Sequence, residues 1–187
     1  MAGTDVSKRA LRRAVRRRWS TITEDARREA SDEVCRRLLP WLPAGPVLLY
    51  EALRDEVCLD SLIAARWDQG QPVVLPRVAG SALTLHLVLG PDDLEIGAYG
   101  IREPKPALAQ VPLSEVAAIV LPARGLARDG ARLGRGAGYY DRLLAEASPE
   151  IVLIGVVLSW QVYDVLPVDP HDVPVAMVVT ERETLRI

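Results

Sequence analysis

Short apolar runs alternate with helix-patterned segments along this chain, and that order predicts an α/β fold. The expected form is a single three-layer domain with a mostly parallel central sheet flanked by helices, and a basic helix at the N-terminus. Two observations carry the expectation. Residues 47–50, 73–75, 118–121, 152–157 and 175–179 are brief, nearly uninterrupted apolar runs, as strands buried on both faces are. Segments of helical period and length lie between several of them, which implies parallel strands joined by right-handed crossovers. A length of 187 residues is enough for one well-buried domain and short for two, so residues 1–187 are expected to form one unit.

The elements follow in order. Across residues 6–19, Val6, Ala10, Leu11, Ala14, Val15 and Trp19 form an apolar stripe with arginines around it, which predicts a helix. Thr21-Ile22-Thr23-Glu24 has the form of a capping box, opening a second helix that runs to about Leu39 and stops before Pro40 and Pro43. Residues 47–50 follow Gly45-Pro46 and read as a strand; a helix over residues 59–67 ends at Gly70, and residues 73–75 make the next strand of a βαβ unit. Residues 83–88 have strand character with imperfect alternation. Residues 90–114, rich in Pro and Gly, are expected to be a long irregular connection. The strand over 118–121 is expected to deliver a glycine-rich loop, followed by a helix from Gly138 through Leu144, the strand over 152–157, and a last strand over 175–179 that closes the sheet. In such folds ligands gather at the carboxyl ends of the strands.

The composition is that of an ordinary globular protein: 49% hydrophobic, 26% charged and a formal net charge of −2. No global basicity points to nucleic acid. The basic stretch over residues 8–18 is compatible with a solvated face, a targeting segment, an RNA-binding helix or a membrane-surface helix. Cys35 and Cys58 are the only cysteines and have no Cys-x-x-Cys spacing, which argues against a disulfide framework or zinc site and fits a reducing compartment. With no membrane-length apolar run and no signal-like start, a cytoplasmic location is expected. Trp41, Trp67 and Trp160 read as packing residues, and His86, in a strand-like run, as structural. Ser159 lacks the flanking glycines of a nucleophile elbow.

The most informative stretch is Gly130-Ala131-Arg132-Leu133-Gly134-Arg135-Gly136-Ala137-Gly138-Tyr139-Tyr140-Asp141-Arg142. Glycines at 134, 136 and 138 can take positive φ and let peptide N–H groups approach phosphate oxygens. Arg132 and Arg135 supply planar cationic forks, Asp141 a hard oxygen ligand, and the following helix its positive end. A plain surface turn with solvated arginines is the competing reading, because the spacing matches neither of the two common glycine-rich nucleotide motifs.

This run, from Arg132 to Arg142, resembles the signature of the 5-formyltetrahydrofolate cyclo-ligase family, also called methenyltetrahydrofolate synthetase. Lys8-Arg9-Ala10-Leu11-Arg12, Gly100-Ile101-Arg102-Glu103-Pro104, and Leu166-Pro167 through His171-Asp172 fall in family order, so the resemblance covers essentially the whole chain. It implies ATP-dependent cyclisation of 5-formyltetrahydrofolate to 5,10-methenyltetrahydrofolate, with ATP and the reduced folate as small-molecule substrates; the alternatives are a related ATP-using enzyme on another small formyl or amide substrate and a non-catalytic nucleotide- or RNA-binding relative. A monomer is expected, with no nucleic-acid or membrane partner. The resemblance places ATP on Lys8, Arg9, Arg12, Arg132, Leu133, Gly134, Arg135, Gly136, Ala137, Gly138, Tyr139 and Tyr140. It places the folate on Arg12, Glu56, Arg135, Gly136, Ala137, Gly138 and Tyr139, and Mg²⁺ on Asp141 and Asp172. Arg135 and Tyr139 are the expected catalytic residues. The chain departs from the family pattern at Cys58 and Leu59 beside Glu56, at Leu126 and Ala127, at Ala137 and at Ala176.

Overall fold

The computed structural model describes residues 7–169 and 172–187, so Val6 and His171 lie outside the described residues. The elements run α1 (Lys8–Trp19), α2 (Glu24–Leu38), β1 (Val47–Leu48), α3 (Asp60–Asp68), β2 (Val73–Ala79), β3 (Ala82–Val88), β4 (Leu94–Ile96) and β5 (Arg102–Pro104). The second half runs β6 (Ala118–Pro122), β7 (Gly125–Ala127), β8 (Arg132–Leu133), α4 (Tyr139–Leu144), β9 (Val152–Val156), β10 (Val162–Tyr163), β11 (Met177–Val179) and β12 (Thr184–Arg186).

The main sheet has the strand order β12-β11-β9-β6-β1-β2-β3. The five inner strands are mutually parallel, while β3 and β12 close the two edges antiparallel. Both faces are buried, and each inner strand feeds them alternately. Val47, Leu75, Val120, Ile154 and Val179 enter one apolar cluster, with Val15 and Trp19 of α1, Val34 and Leu38 of α2, and Leu62 of α3. Leu48, Val74, Ile119, Leu153 and Val178 enter the other, where Leu144 of α4 and the segment around Val116 lie. Burial on both sides explains why these strands read as continuous apolar runs. The layers are unequal: α1, α2 and α3 cover one face, and the six-residue α4 is the only α-helix contributing buried residues to the other among the described residues.

Five expectations need adjustment. The strand over 177–179 does not close the sheet, because β12 pairs outside it. The cap of α2 is Thr23, whose Oγ1 accepts from Ala26 N at 3.3 Å, whereas Thr21 Oγ1 donates to the Arg18 carbonyl and closes α1. The 90–114 connection is not wholly irregular, since β4 and β5 pair antiparallel within it. Their turn is tight because Tyr99 and Gly100 both take left-handed φ, 59° and 71°. The glycine-rich loop does not leave β6 directly: β7 and β8 intervene and form a small sheet with β10. Trp67 and Trp160 do pack against the first cluster, but Trp41 is 42% exposed, with the Arg186 guanidinium over its ring. His86 is buried in β3, with Nδ1 3.0 Å from the Leu108 carbonyl and Nε2 2.9 Å from Thr84 Oγ1, so its role is structural.

Ile154, fully buried in the middle of β9, tests the core directly. Ile154→Ala is expected to lower unfolding stability by about 3 kcal/mol through lost burial and a cavity, measured as a shift of the urea midpoint at unchanged slope.

Candidate functional site

A cavity of about 340 Å³ opens at the carboxyl ends of the inner strands. Its floor comes from Tyr50 and Glu51 just after β1 and Pro122 at the end of β6; β2 and β3 supply Pro76, Val78 and Leu83. The loop from Gly134 to Gly138 and the start of α4 form another wall, and Tyr99, Ile101, Arg102 and Glu103 of the β4–β5 hairpin close it.

The loop owes its shape to two glycines with positive φ, Gly136 at 101° and Gly138 at 73°. Gly134 needs no such angle. A Cβ there would stand 2.9 Å from Arg132 Nη1, and its carbonyl accepts from Arg12 Nε at 2.8 Å. Helix α1 thus reaches the loop: Leu11 packs beside Ala127, Ala131, Leu133 and Leu166, and one residue on Arg12 grips the loop backbone. Leu133 contributes its side chain to that apolar cluster, and its carbonyl accepts from Arg124 N at 2.7 Å. Lys8, one turn earlier on α1, donates to Asp172 Oδ2 at 2.6 Å and Asp169 Oδ2 at 2.7 Å. Burial opposes its charge, but the two aspartates outweigh burial and raise the Lys8 pKa. Arg9 is solvent-exposed.

Charges converge on the cavity. Arg132, almost wholly buried, is ion-paired with Asp141 on the first turn of α4, and its Nε has no acceptor among the described residues. Arg135 Nε donates to Glu56 Oε1 at 2.6 Å, and its Nη2 is ion-paired with Asp55. The buried Arg124 holds the other side of Asp55, with Nη2 2.6 Å from Oδ2 and Nη1 donating to the Asp55 carbonyl at 2.9 Å. Burial alone raises the Asp55 pKa; the hydrogen bonds and charges of Arg124 and Arg135 overcome that and hold it below the usual carboxylate range. Tyr139 Oη donates to the Gly80 carbonyl at 3.3 Å and lies 3.4 Å from Tyr99 Oη, a contact that raises its pKa. Arg142 ties the same wall together, donating to the carbonyls of Ser81 and Ala137. Burial pushes the Tyr140 phenol well up.

Sequence reasoning missed Asp55, Glu51, Arg102, Arg124 and Tyr99. Glu51 accepts from Arg102 Nε at 3.0 Å and Nη2 at 3.1 Å, and Arg102 also reaches Asp60 at 2.7 Å. Asp55 sits in a run that reads as solvated, and nothing in the sequence reveals that Arg124 is its partner. Arg102 lies in a recognised motif, which was the available signal.

Asp141 and Asp172 do not form a ready-made metal centre, since each faces a cation. No group of three or more His, Cys, Asp or Glu side chains suited to a metal occurs among the described residues. A nucleotide-borne magnesium ion needs only one or two carboxylates, with phosphate and water completing its shell. Asp141 lines the cavity and meets that requirement, whereas Asp172 is paired with Lys8 and is not part of the lining.

The model of the 5-formyltetrahydrofolate cyclo-ligase family matches residues 4–181. The chain belongs to that family. It is 34% identical over 184 residues to the 5-formyltetrahydrofolate cyclo-ligase of Mycolicibacterium smegmatis, covering 94% of each chain. To the cyclo-ligase of Escherichia coli it is 29% identical over 175 residues, 89% of this chain and 96% of that one. The solved structure of Aquifex aeolicus 5,10-methenyltetrahydrofolate synthetase has a TM-score of 0.85 and 35% identity, covering 96% of this chain and 92% of its own. The α/β architecture is therefore the family's. Among the described residues no helix is long and apolar enough to cross a membrane.

The depressed Asp55 pKa has a stability consequence. A folded-state pKa below the unfolded value contributes stability that is present above the ordinary aspartate value of 3.8 and is lost as pH falls through the folded value. Urea midpoints are expected to fall as pH drops below 3.8, and the part due to this group should be missing from Asp55→Asn.

Proposed function

We propose that this protein catalyses the ATP-dependent conversion of 5-formyltetrahydrofolate to 5,10-methenyltetrahydrofolate, releasing ADP and phosphate. The observation that carries the reading is the meeting of a glycine-arginine loop with a largely apolar cavity at the strand ends, in a chain of the cyclo-ligase family. The triphosphate lies along residues 132–140, with Lys8, Arg9 and Arg12 of α1 adding positive charge from the side. α4 is too short to add much dipole, so the grip rests on loop N–H groups and arginines. The buried Arg132 Nε, without an acceptor among the described residues, supports an anion at this place.

The folate occupies the cavity, with Glu56, Arg12, Tyr139 and the loop from Arg135 to Gly138 around it. The formyl oxygen attacks the γ-phosphorus and ADP departs; N10 then attacks the activated carbon, loses its proton, and phosphate leaves. An amide oxygen is a poor leaving group, and phosphorylation makes it a good one. The protein's share is alignment and neutralisation of charge on the moving phosphoryl group. Arg135 is the residue assigned to that group, and Tyr139 orients the folate beside it. Asp141 and Asp172 would hold Mg²⁺ against the phosphates, where it supplies charge neutralisation. The formal charge of −2 supports small-molecule substrates rather than nucleic acid, and we place the enzyme in the cytoplasm as a monomer.

Absorbance at the methenyl-folate band should rise only when protein, 5-formyltetrahydrofolate and Mg-ATP are all present; no rise with the full mixture overturns the reading. Arg135→Ala should lower kcat by about 100- to 1,000-fold, the scale of a lost transition-state donor, with an unchanged circular dichroism spectrum. Near-normal turnover would remove Arg135 from the phosphoryl site.

A further inference from the structure

Three glutamates line the cavity, and their acceptor capacity is spent differently. Glu51 is held by the fork of Arg102. Glu56 accepts from Arg135 Nε and, at 3.0 Å, from Leu53 N. Glu103 stands apart. The residue is 3% exposed, and among the described residues its carboxylate has an ion pair at 4.0 Å but accepts no hydrogen bond. The only cation within 4.0 Å of it among those residues is Arg77 Nη1, at 4.0 Å, which already donates to the Pro104 carbonyl at 2.7 Å and to Glu95 Oε1 at 3.0 Å.

The hairpin is shaped around this carboxylate. Gly97 lies against it so closely that a Cβ there would overlap the Glu103 side chain. Glu103 is also near enough to Tyr139 to disfavour its phenolate. Neither carboxylate oxygen is among the buried atoms that lack a partner, so the group keeps access to the cavity it lines, with its acceptors open to a ligand.

We propose that Glu103 recognises the 2-amino-4-oxopyrimidine edge of the reduced pterin, its two oxygens accepting the exocyclic amino N–H and the adjacent ring N3–H. This rests on the folate reading above and deepens it, assigning a specificity-determining residue that the phosphate chemistry does not require. The match is one of donor pattern. That edge offers two parallel N–H groups to two carboxylate oxygens, a charge-assisted bidentate pair. The adenine edge of ATP offers one amino donor beside a ring-nitrogen acceptor, which a carboxylate repels. Glu103 therefore separates the two heterocycles that enter one site.

The test is calorimetric titration of wild-type protein and Glu103→Gln with 5-formyltetrahydrofolate, with an analogue carrying a 2-methyl in place of the 2-amino group, and with ATP. The expected result is a roughly 100-fold weaker Kd for the parent folate in the variant, the scale seen when a built polar recognition pair is broken. ATP affinity and melting temperature should be unchanged or, for melting, higher. Wild type should lose a comparable factor on the analogue, and the variant should lose little more. A variant binding the parent within about 3-fold of wild type, or one whose folate affinity, ATP affinity and melting temperature fall together, overturns the assignment. Wild type binding the analogue as tightly as the parent does so without any variant. Wild type that binds and cyclises folate while the variant is unaffected removes Glu103 alone; wild type that binds no folate removes the folate reading with it.

Discussion

The site hangs on Asp55, gripped from the core side by Arg124 and from the loop side by Arg135. Arg124 is the fixed member of the three. Its backbone N–H donates to the Leu133 carbonyl, its own carbonyl accepts from Gln161 Nε2 at 3.0 Å, and its guanidinium holds both the side chain and the carbonyl of Asp55. One buried cation thus pins the turn after β1, strand β8 and the segment leading to β10 to a single point. Burial lowers the Arg124 pKa, and Asp55 opposes that effect. A buried pair of this kind gives little net stability over an apolar replacement, but removing one member strands the other charge. Its consequence is positional: Arg135 approaches the cavity from a fixed anchor, with Glu56 beside it.

The second constraint is the docking of α1. Val15 and Trp19 bury the C-terminal half of the helix in the main core, while Leu11 engages the small cluster under β7 and β8. The helix is therefore fixed at both ends, and Arg12 must meet the loop at Gly134. The arginines between these apolar positions are not interchangeable surface charges. Arg27 illustrates the same economy elsewhere: it caps the α1–α2 junction by donating to the carbonyls of Trp19 and Ile22.

Much of this was legible in the chain. The inner strands announced themselves because burial on both faces leaves no polar alternation, and the glycine-arginine run stood out because few other settings need cations and φ freedom together. The edge strands were harder. β3 faces partial solvent and holds the buried His86, so its pattern blurred, and β12 is short and half exposed. The β4–β5 hairpin escaped because its turn uses Tyr99 at positive φ, where asparagine or glycine is the usual sign. Arg124 and Asp55 lie 69 residues apart, and no local pattern pairs them. Lys8 and Asp172, brought together across 164 residues, were joined only through resemblance.

The departures from the family pattern fall mainly on packing. Leu59 is buried in the main core, and Cys58 faces α2: its N–H donates to Ser31 Oγ, and Cys35 Sγ donates to its carbonyl. Burial raises the Cys58 thiol to about 11, so it stays protonated and acts as a small apolar group. Leu126 lies in the second cluster against Gly155, and Ala127 sits in the small cluster that receives Leu11. Ala176 is exposed beyond the cavity, on the approach to β11. None of these five lines the cavity; Ala137, the sixth, does so within the glycine-rich loop where small residues already dominate. The charged lining is complete without them. What the chain has altered is the support beneath the site, and the carboxylates and arginines that face a ligand are held by partners that remain in place.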